Sequence, residues 1–194
     1  TGVQTCALPI YKTLDKLGTG LEKSAKIASA ALSGAALSAI HFADNISDTA
    51  KAADMSTAAL IGLSKSFELN GGTADKAQQA ALRFAQTIGD AAAGSKTARD
   101  ALDKVGISLS DIATVPTDQL LSRTATQLAG FGDQSRAASV SADIFGKTVK
   151  GVDFKGVSDS LAELTNNAKQ YEGAVGSAAD LVDNFSAAMG AAKL

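Results

Sequence analysis

The chain has 194 residues and a formal net charge of −2, with 18 Lys and Arg against 20 Asp and Glu. This length suits one domain or a piece of a larger protein. Hydrophobic residues make up 45% of the chain, but Trp is absent and aromatic residues reach only 5%. Much of the apolar content is alanine, which favours helices and carries little apolar area. Acidic and basic residues are interspersed without a basic patch, so we predict no nucleic-acid partner.

Residues 1–10 resemble the translation of a sequencing-library adapter, because the codons ACT GGA GTT CAG ACG TGT GCT CTT CCG ATC encode this peptide. Such a segment does not belong to the natural protein and carries no information about its fold. We therefore interpret residues 1–10 as an adapter-derived artefact, with a natural N-terminal tail as the alternative, and expect the natural chain to begin no earlier than Tyr11, in mid-gene. Removing Cys6, the only cysteine, excludes disulfides and thiolate metal sites.

The segment 11–54 has the pattern of a long N-terminal helix region. Leu14, Leu17 and Leu21 recur at helical spacing. They lead into Ile27–Ala43, which holds no charged residue but is short for a membrane span of about 20 apolar residues. Several polar side chains dilute this stretch, namely Ser29, Ser33, Ser38 and His41. We favour close helix packing through small residues, and keep membrane contact through 27–43 as the weaker alternative.

The segment 55–146 carries the signals of several short helices. Ser56 and Thr73 are candidate N-caps, while Asn70-Gly71-Gly72 and Gly94-Ser95 mark helix ends. The run from Ile107 to Ile112 alternates briefly, as a short strand would, but it is isolated, and we predict an extended loop there. The spacing of apolar residues then predicts helices that include Leu120–Leu128 and Gln134–Phe145.

The end of the chain has the clearest periodicity. We predict a glycine-containing linker over 147–156, followed by a heptad-patterned helix over 157–194. Its apolar positions alternate spacings of four and three: Val157, Leu161, Leu164, Ala168, Tyr171, Val175, Ala178, Val182, Phe185 and Met189. The pattern fits both a coiled coil and a long helix that packs on the preceding helices. The predicted fold class is therefore all-α, with several short helices in a central region flanked by long amphipathic, coiled-coil-like helices.

Motifs with catalytic or binding chemistry are weak. Gly146-Lys147-Thr148 matches the last three residues of the phosphate-binding P-loop pattern, but Ser141 occupies the place of the first glycine that this pattern requires. His41 is the only histidine, and a lone histidine cannot assemble a usual zinc site. Asn45-Ile46-Ser47 and Asn184-Phe185-Ser186 match a glycosylation sequon that is frequent by chance. We predict no catalytic, cofactor-binding or metal-ligating residue, and no enzymatic activity.

One family accounts for the order of these segments. Asp48–Lys65, a polar helix leading into Met-Ser and then spaced leucines, resembles a recurrent segment of phage tail tape measure proteins. Ala142-Asp-Ile-Phe-Gly-Lys147 resembles the family's Leu- or Ile-Phe-Gly-Lys element. Between them, in the same order as in the family, lie Asn70-Gly71-Gly72, Gly94-Ser95, Leu102–Ser108 and Leu120–Leu128. The resemblance covers about Tyr11 to Leu194, although Thr148–Phe154 is more polar than the corresponding stretch in the family and lacks its proline.

The resemblance implies a structural, non-enzymatic role. A tape measure protein is a very long helical protein that occupies the tail tube, scaffolds assembly of the tube and sets tail length. It implies self-association and partners among the tail tube protein, tail assembly chaperone and tail tip proteins of a phage or prophage. The location would be the virion tail, and the host cytoplasm during assembly. The alternative class is a bacterial helical coiled-coil interaction protein of the envelope, or a secreted one.

Long-read sequencing of the source DNA across the 5′ junction tests the adapter interpretation. We expect the codons for residues 1–10 to be absent and the reading frame to continue upstream of Tyr11 beside tail genes. Genomic codons for these residues, in a gene that starts and stops near these ends, would contradict both the adapter and the tape measure interpretations.

Overall fold

Short helices, most of them with a side-chain N-cap, make up most of the described structure. The computed structural model describes residues 43–177 and 180, and within them the chain forms helices and no strand. The all-α prediction is confirmed. The helices are α1 (43–52), α2 (Thr57–Leu69), α3 (Ala74–Ala92), α4 (Lys96–Asp103), α5 (Leu109–Thr114), α6 (Thr117–Ala129), α7 (Gln134–Phe145), α8 (Phe154–Ala168) and α9 (172–177), with short 3-10 turns at Lys147–Val149 and Lys169–Tyr171.

Both predicted N-caps are confirmed. The Ser56 hydroxyl accepts the Ala59 N–H at 3.1 Å at the start of α2, and the Thr73 hydroxyl accepts the Lys76 N–H at 3.2 Å at the start of α3. Each hydroxyl satisfies one of the N–H groups that the first turn of a helix leaves without a partner. Gly71 has a φ of 88°, a left-handed conformation that glycine adopts readily, and so turns the chain between α2 and α3.

The loop predicted over Ile107–Ile112 is wrong, because this run opens helix α5. The Ser108 hydroxyl accepts the Asp111 N–H at 3.2 Å, and the Asp111 carboxylate accepts the Ser108 N–H at 2.9 Å. This reciprocal capping box satisfies two backbone donors at once and holds a helix of only 6 residues. Ile107 itself is buried in the core.

The described helices share one hydrophobic core. Ile46 and Ala50 of α1, and Ala53 in the turn that follows it, are buried with Leu60 and Phe67 of α2 in the same cluster. The sequence boundary between 54 and 55 therefore separates two helices that meet in this cluster. The predicted linker 147–156 contributes buried side chains too, because Val149 and Phe154 belong to the cluster and α8 begins at Phe154.

The pairing of α2 with α8 is the closest helix contact that we describe. A Cβ added to Gly62 would lie 2.7 Å from the Thr165 backbone nitrogen and 2.8 Å from its Cα, closer than real Cβ atoms approach. The Ser66 and Ser160 hydroxyl oxygens lie 2.8 Å apart, and the Glu172 carboxylate accepts the Ala58 N–H at 3.0 Å. Partner numbers fall along α8 as they rise along α2, so the two helices are antiparallel.

In this arrangement, the first part of the heptad seam is a helix that packs on the preceding helices. Val157, Leu161 and Ala168 are buried, and α8 contacts both α2 and α6. The 3-10 turn at Lys169–Tyr171 then interrupts the helix, and Tyr171 is 57% exposed. The described residues do not show the predicted long flanking helices. Residues 11–42 and the seam positions Ala178, Val182, Phe185 and Met189 lie outside them.

Replacing Gly62 by alanine tests the α2–α8 contact. Because the new methyl group would meet the Thr165 backbone as well as its hydroxyl, and the backbone cannot rotate away, we expect Gly62→Ala to lower the free energy of unfolding by about 1–3 kcal/mol. The matched control is Gly89→Ala in α3, where a Cβ would meet nothing within 4 Å. This substitution should raise the free energy of unfolding by roughly 0.4–1 kcal/mol. Urea denaturation followed by circular dichroism measures both, and equal effects at the two glycines would contradict the close contact.

Candidate functional site

The Phe-Gly-Lys element at the end of α7 is a packing element. The Phe145 ring centroid lies 5.3 Å from that of Phe84 and 5.4 Å from that of Phe154. Phe154 in turn meets the edge of Phe67 at 6.3 Å. Offset and edge-on aromatic contacts at these distances are favourable beyond the area they bury. Phe145 thereby joins α7 to α3 and to the start of α8.

Gly146 and Lys147 have no P-loop geometry. Gly146 ends α7 with a φ of 82°, and its N–H donates to the Ala142 carbonyl at 3.0 Å. Lys147 then begins a 3-10 turn and its side chain is exposed. A P-loop requires a strand before the glycine-rich loop and a helix opening at the lysine. The order here is helix, glycine and 3-10 turn, so this backbone does not form a phosphate cradle.

Ionisable side chains are dispersed over the surface. Across the described part of the chain, no three His, Cys, Asp or Glu side chains form a group able to hold a metal ion. In the sequon of α1, Asn45 is exposed but Ser47 is 6% exposed. His41 and Asn184 lie outside the described residues. The prediction that His41 holds no metal therefore stays a prediction.

The Asp111 carboxylate combines hydrogen bonds to a helix cap with an ion pair to a neighbouring helix. Hydrogen bonds from the Ser108 side chain and backbone, with the Arg123 guanidinium nearby, hold the pKa of Asp111 below its usual range. Arg123 Nη1 lies 3.2 Å from an Asp111 oxygen, so the same carboxylate joins α5 to α6. On α4, the hydrogen bond and charge of Asp100 raise the pKa of Lys96 above its usual range. Both groups stabilise helices and neither lies in a cluster of catalytic type.

A groove beside α7 has a volume of about 830 Å³. Buried Leu128, Val149 and Phe154 form its apolar base together with half-buried Phe131. One wall is the small-residue face of α7, formed by Ala137, Ala138, Ser141 and Ala142. The opposite side is the segment from Lys147 to Lys155, whose lysines are exposed. The volume lies within the range of about 300–1,000 Å³ that is typical of ligand clefts.

The sequence did not predict this groove. Its only sequence signal is the spacing of Lys147, Lys150 and Lys155 around Val149 and Phe154, in a segment that we predicted to be a linker. The groove forms because the core buries Val149 and Phe154 and thereby draws that segment against α7. No catalytic or ligand-binding residue was predicted from the sequence, and the groove brings together residues of three helices and one turn.

Comparisons with known proteins add no assignment: the chain matches no protein-family model, no curated protein and no solved structure. As for membranes, none of the helices in the described ranges combines the length and apolarity that a bilayer crossing requires. Ile27–Ala43, the stretch with the weak membrane signal, falls almost entirely outside those ranges. The assignment of function therefore depends on the geometry above and on the resemblance of the sequence.

Truncating Phe145 tests whether the Phe-Gly-Lys element acts in packing. We expect Phe145→Ala to lower the free energy of unfolding by about 3–5 kcal/mol, because it removes a buried ring with two aromatic neighbours. Lys147→Ala should change it by less than about 0.5 kcal/mol, since the side chain is exposed. Millimolar MgATP should stabilise neither protein in thermal melts. Stabilisation of the wild type that Lys147→Ala abolishes would contradict this assignment and restore the phosphate-binding interpretation.

A second prediction concerns Asp111. The pKa of Asp111 is lower in the folded protein than in the unfolded chain. Its hydrogen bonds therefore stabilise α5 fully at pH values above the usual carboxyl pKa of about 3.9, and this stabilisation is lost as the pH falls through the folded-state pKa. Ser108→Ala removes the largest cause and should raise the Asp111 pKa towards the usual value. NMR titration of the carboxyl carbon measures this shift, with Arg123→Gln giving a smaller one. An unchanged Asp111 midpoint in Ser108→Ala would refute the assignment.

Proposed function

We propose that this chain is part of a phage tail tape measure protein, a non-enzymatic structural protein that sets tail length and scaffolds assembly of the tail tube. The observation that carries the proposal is the position of the family-like segments in the fold. Asp48–Lys65 spans the second half of α1, the Ser56 cap and most of α2, and Ala142–Lys147 ends α7 with Phe145 in the aromatic cluster. These segments act in packing and capping, which suits a structural protein.

The chemistry of the described residues supports the same proposal. The core is rich in alanine, the ion pairs are exposed, and the Gly146-Lys147 pair is explained by a helix end. A helix rises about 1.5 Å per residue, so helical residues convert chain length into distance linearly. Self-association, contact with tail tube, tail tip and tail assembly chaperone proteins, and location in the virion tail follow from the proposal as expectations.

A tandem duplication of residues 43–177 within the complete gene tests the length-setting role. We expect longer tails by electron microscopy, by about 200 Å if the added segment is a continuous helix and by a few tens of ångströms if it stays folded. Gly89→Ala is the control, because it changes one residue without a clash and without adding length, and should leave tail length unchanged. Virions that carry the duplicated protein in tails of unchanged length would reject the proposal.

The alternative is a helical coiled-coil protein of the bacterial envelope, or a secreted one, and the heptad seam favours it. Mass spectrometry of purified virions and of host membrane, periplasmic and secreted fractions separates the two classes. The tape measure proposal requires this protein in the virion tail. Its presence in the envelope or secreted fraction, with none in virions, would favour the alternative.

A further inference from the structure

We propose that the groove beside α7 docks an amphipathic helical segment of a partner protein that carries carboxylates along the edges of its apolar face. This inference goes beyond the tape measure proposal and does not depend on it. It rests on three properties of the groove: an apolar base, an excess of positive charge at the edge, and a wall of small side chains.

The base of the groove is apolar enough to receive side chains from a partner. Leu128, Val149 and Phe154 are buried beneath it, and Phe131 is half-buried at one side. Amphipathic helices bind to grooves of this kind through apolar anchors spaced three or four residues apart. The groove therefore suits a short row of such anchors.

The charge at the edge determines which helix fits. Lys147, Lys150 and Lys155 line the groove against one acid, Asp153, whose carboxylate already accepts the Lys155 N–H at 3.0 Å as the cap of α8. The Lys155 ammonium nitrogen lies 3.5 Å from an Asp159 carboxylate oxygen. Lys147 and Lys150, in contrast, take part in none of the ion pairs found among the described residues. Carboxylates on the partner would complement these two free cations, and lysines there would be repelled.

A further cation extends the positive edge beyond the lysines. The Arg136 guanidinium carbon lies 5.1 Å from the centroid of the Phe131 ring. This stacking holds an exposed guanidinium beside the groove and leaves its N–H groups available to a carboxylate. Arg136 thus adds a cation next to Phe131, one of the residues that line the groove.

The wall of α7 lets a helix approach closely. Ala137, Ala138, Ser141 and Ala142 lie on one face at helical spacing and present no long side chain. Small residues allow two helix backbones to come together. The domain uses the same device at Gly62, where α8 lies against α2. A second helix can therefore lie along α7 without displacing it.

The test uses two synthetic peptides of about 18 residues, long enough for appreciable helicity. Both carry leucines at positions i, i+3, i+4 and i+7. One has Glu and the other Lys beside the leucines. Fluorescence anisotropy with the full chain at low salt should show at least about tenfold tighter binding of the Glu peptide. The variant K147E/K150E should bind the Lys peptide more tightly than the Glu peptide.

Two further variants make the test specific to the groove. Ala138→Phe places a ring on an exposed lining position and should weaken binding of the Glu peptide about tenfold without lowering the melting temperature. K51E/K96E makes the same change in net charge away from the groove and should weaken that binding much less than K147E/K150E. The proposal fails if neither peptide binds, if the wild type binds both equally, if K51E/K96E acts as strongly, or if Ala138→Phe has no effect.

Discussion

The close approach of α2 and α8 at Gly62 is the constraint on which the rest of the fold depends. Without a side chain at Gly62, the Thr165 backbone can lie against α2. The antiparallel register that follows places Ser160 beside Ser66 and the start of α8 beside the end of α2. That register brings the Phe154 ring to Phe67 and Phe145. One glycine thus determines where the aromatic cluster forms and where one side of the groove lies.

This constraint matters because the chain has few large apolar residues. Alanine buries little area, so stability must come from short distances between helices and from the small number of buried rings and leucines. Phe67, Phe84 and Phe145 are almost fully buried, and they span α2, α3 and α7. Polar contacts between helices supplement them, such as the hydrogen bond from the Thr87 hydroxyl to the Ile144 carbonyl at 3.0 Å. In such a core a small change of volume at a helix contact alters the distance between whole helices.

The parts of the structure that local chemistry controls could be predicted from the sequence. Ser56 and Thr73 act as caps, and α7 covers Gln134–Phe145, because capping side chains and glycines decide helix ends within a few residues. Helix α5 replaces the predicted loop because the Ser108–Asp111 capping box outweighs the brief alternation of apolar residues. The start of α8 at Phe154 and the groove could not be predicted. Both depend on the burial of Phe154 and Val149 by residues distant in sequence.

The compact fold also bears on how a tape measure protein could use this segment. Drawn out as one helix, residues 43–177 would span about 200 Å, whereas a globular domain of that size has a radius of gyration of roughly 14 Å. A folded segment therefore contributes far less length per residue than a continuous helix. Under the proposed function, the segment either extends when the tube forms or adds a fixed, short increment beside longer helices. The α2–α8 contact decides between these states, because α8 can extend only after Thr165 leaves Gly62.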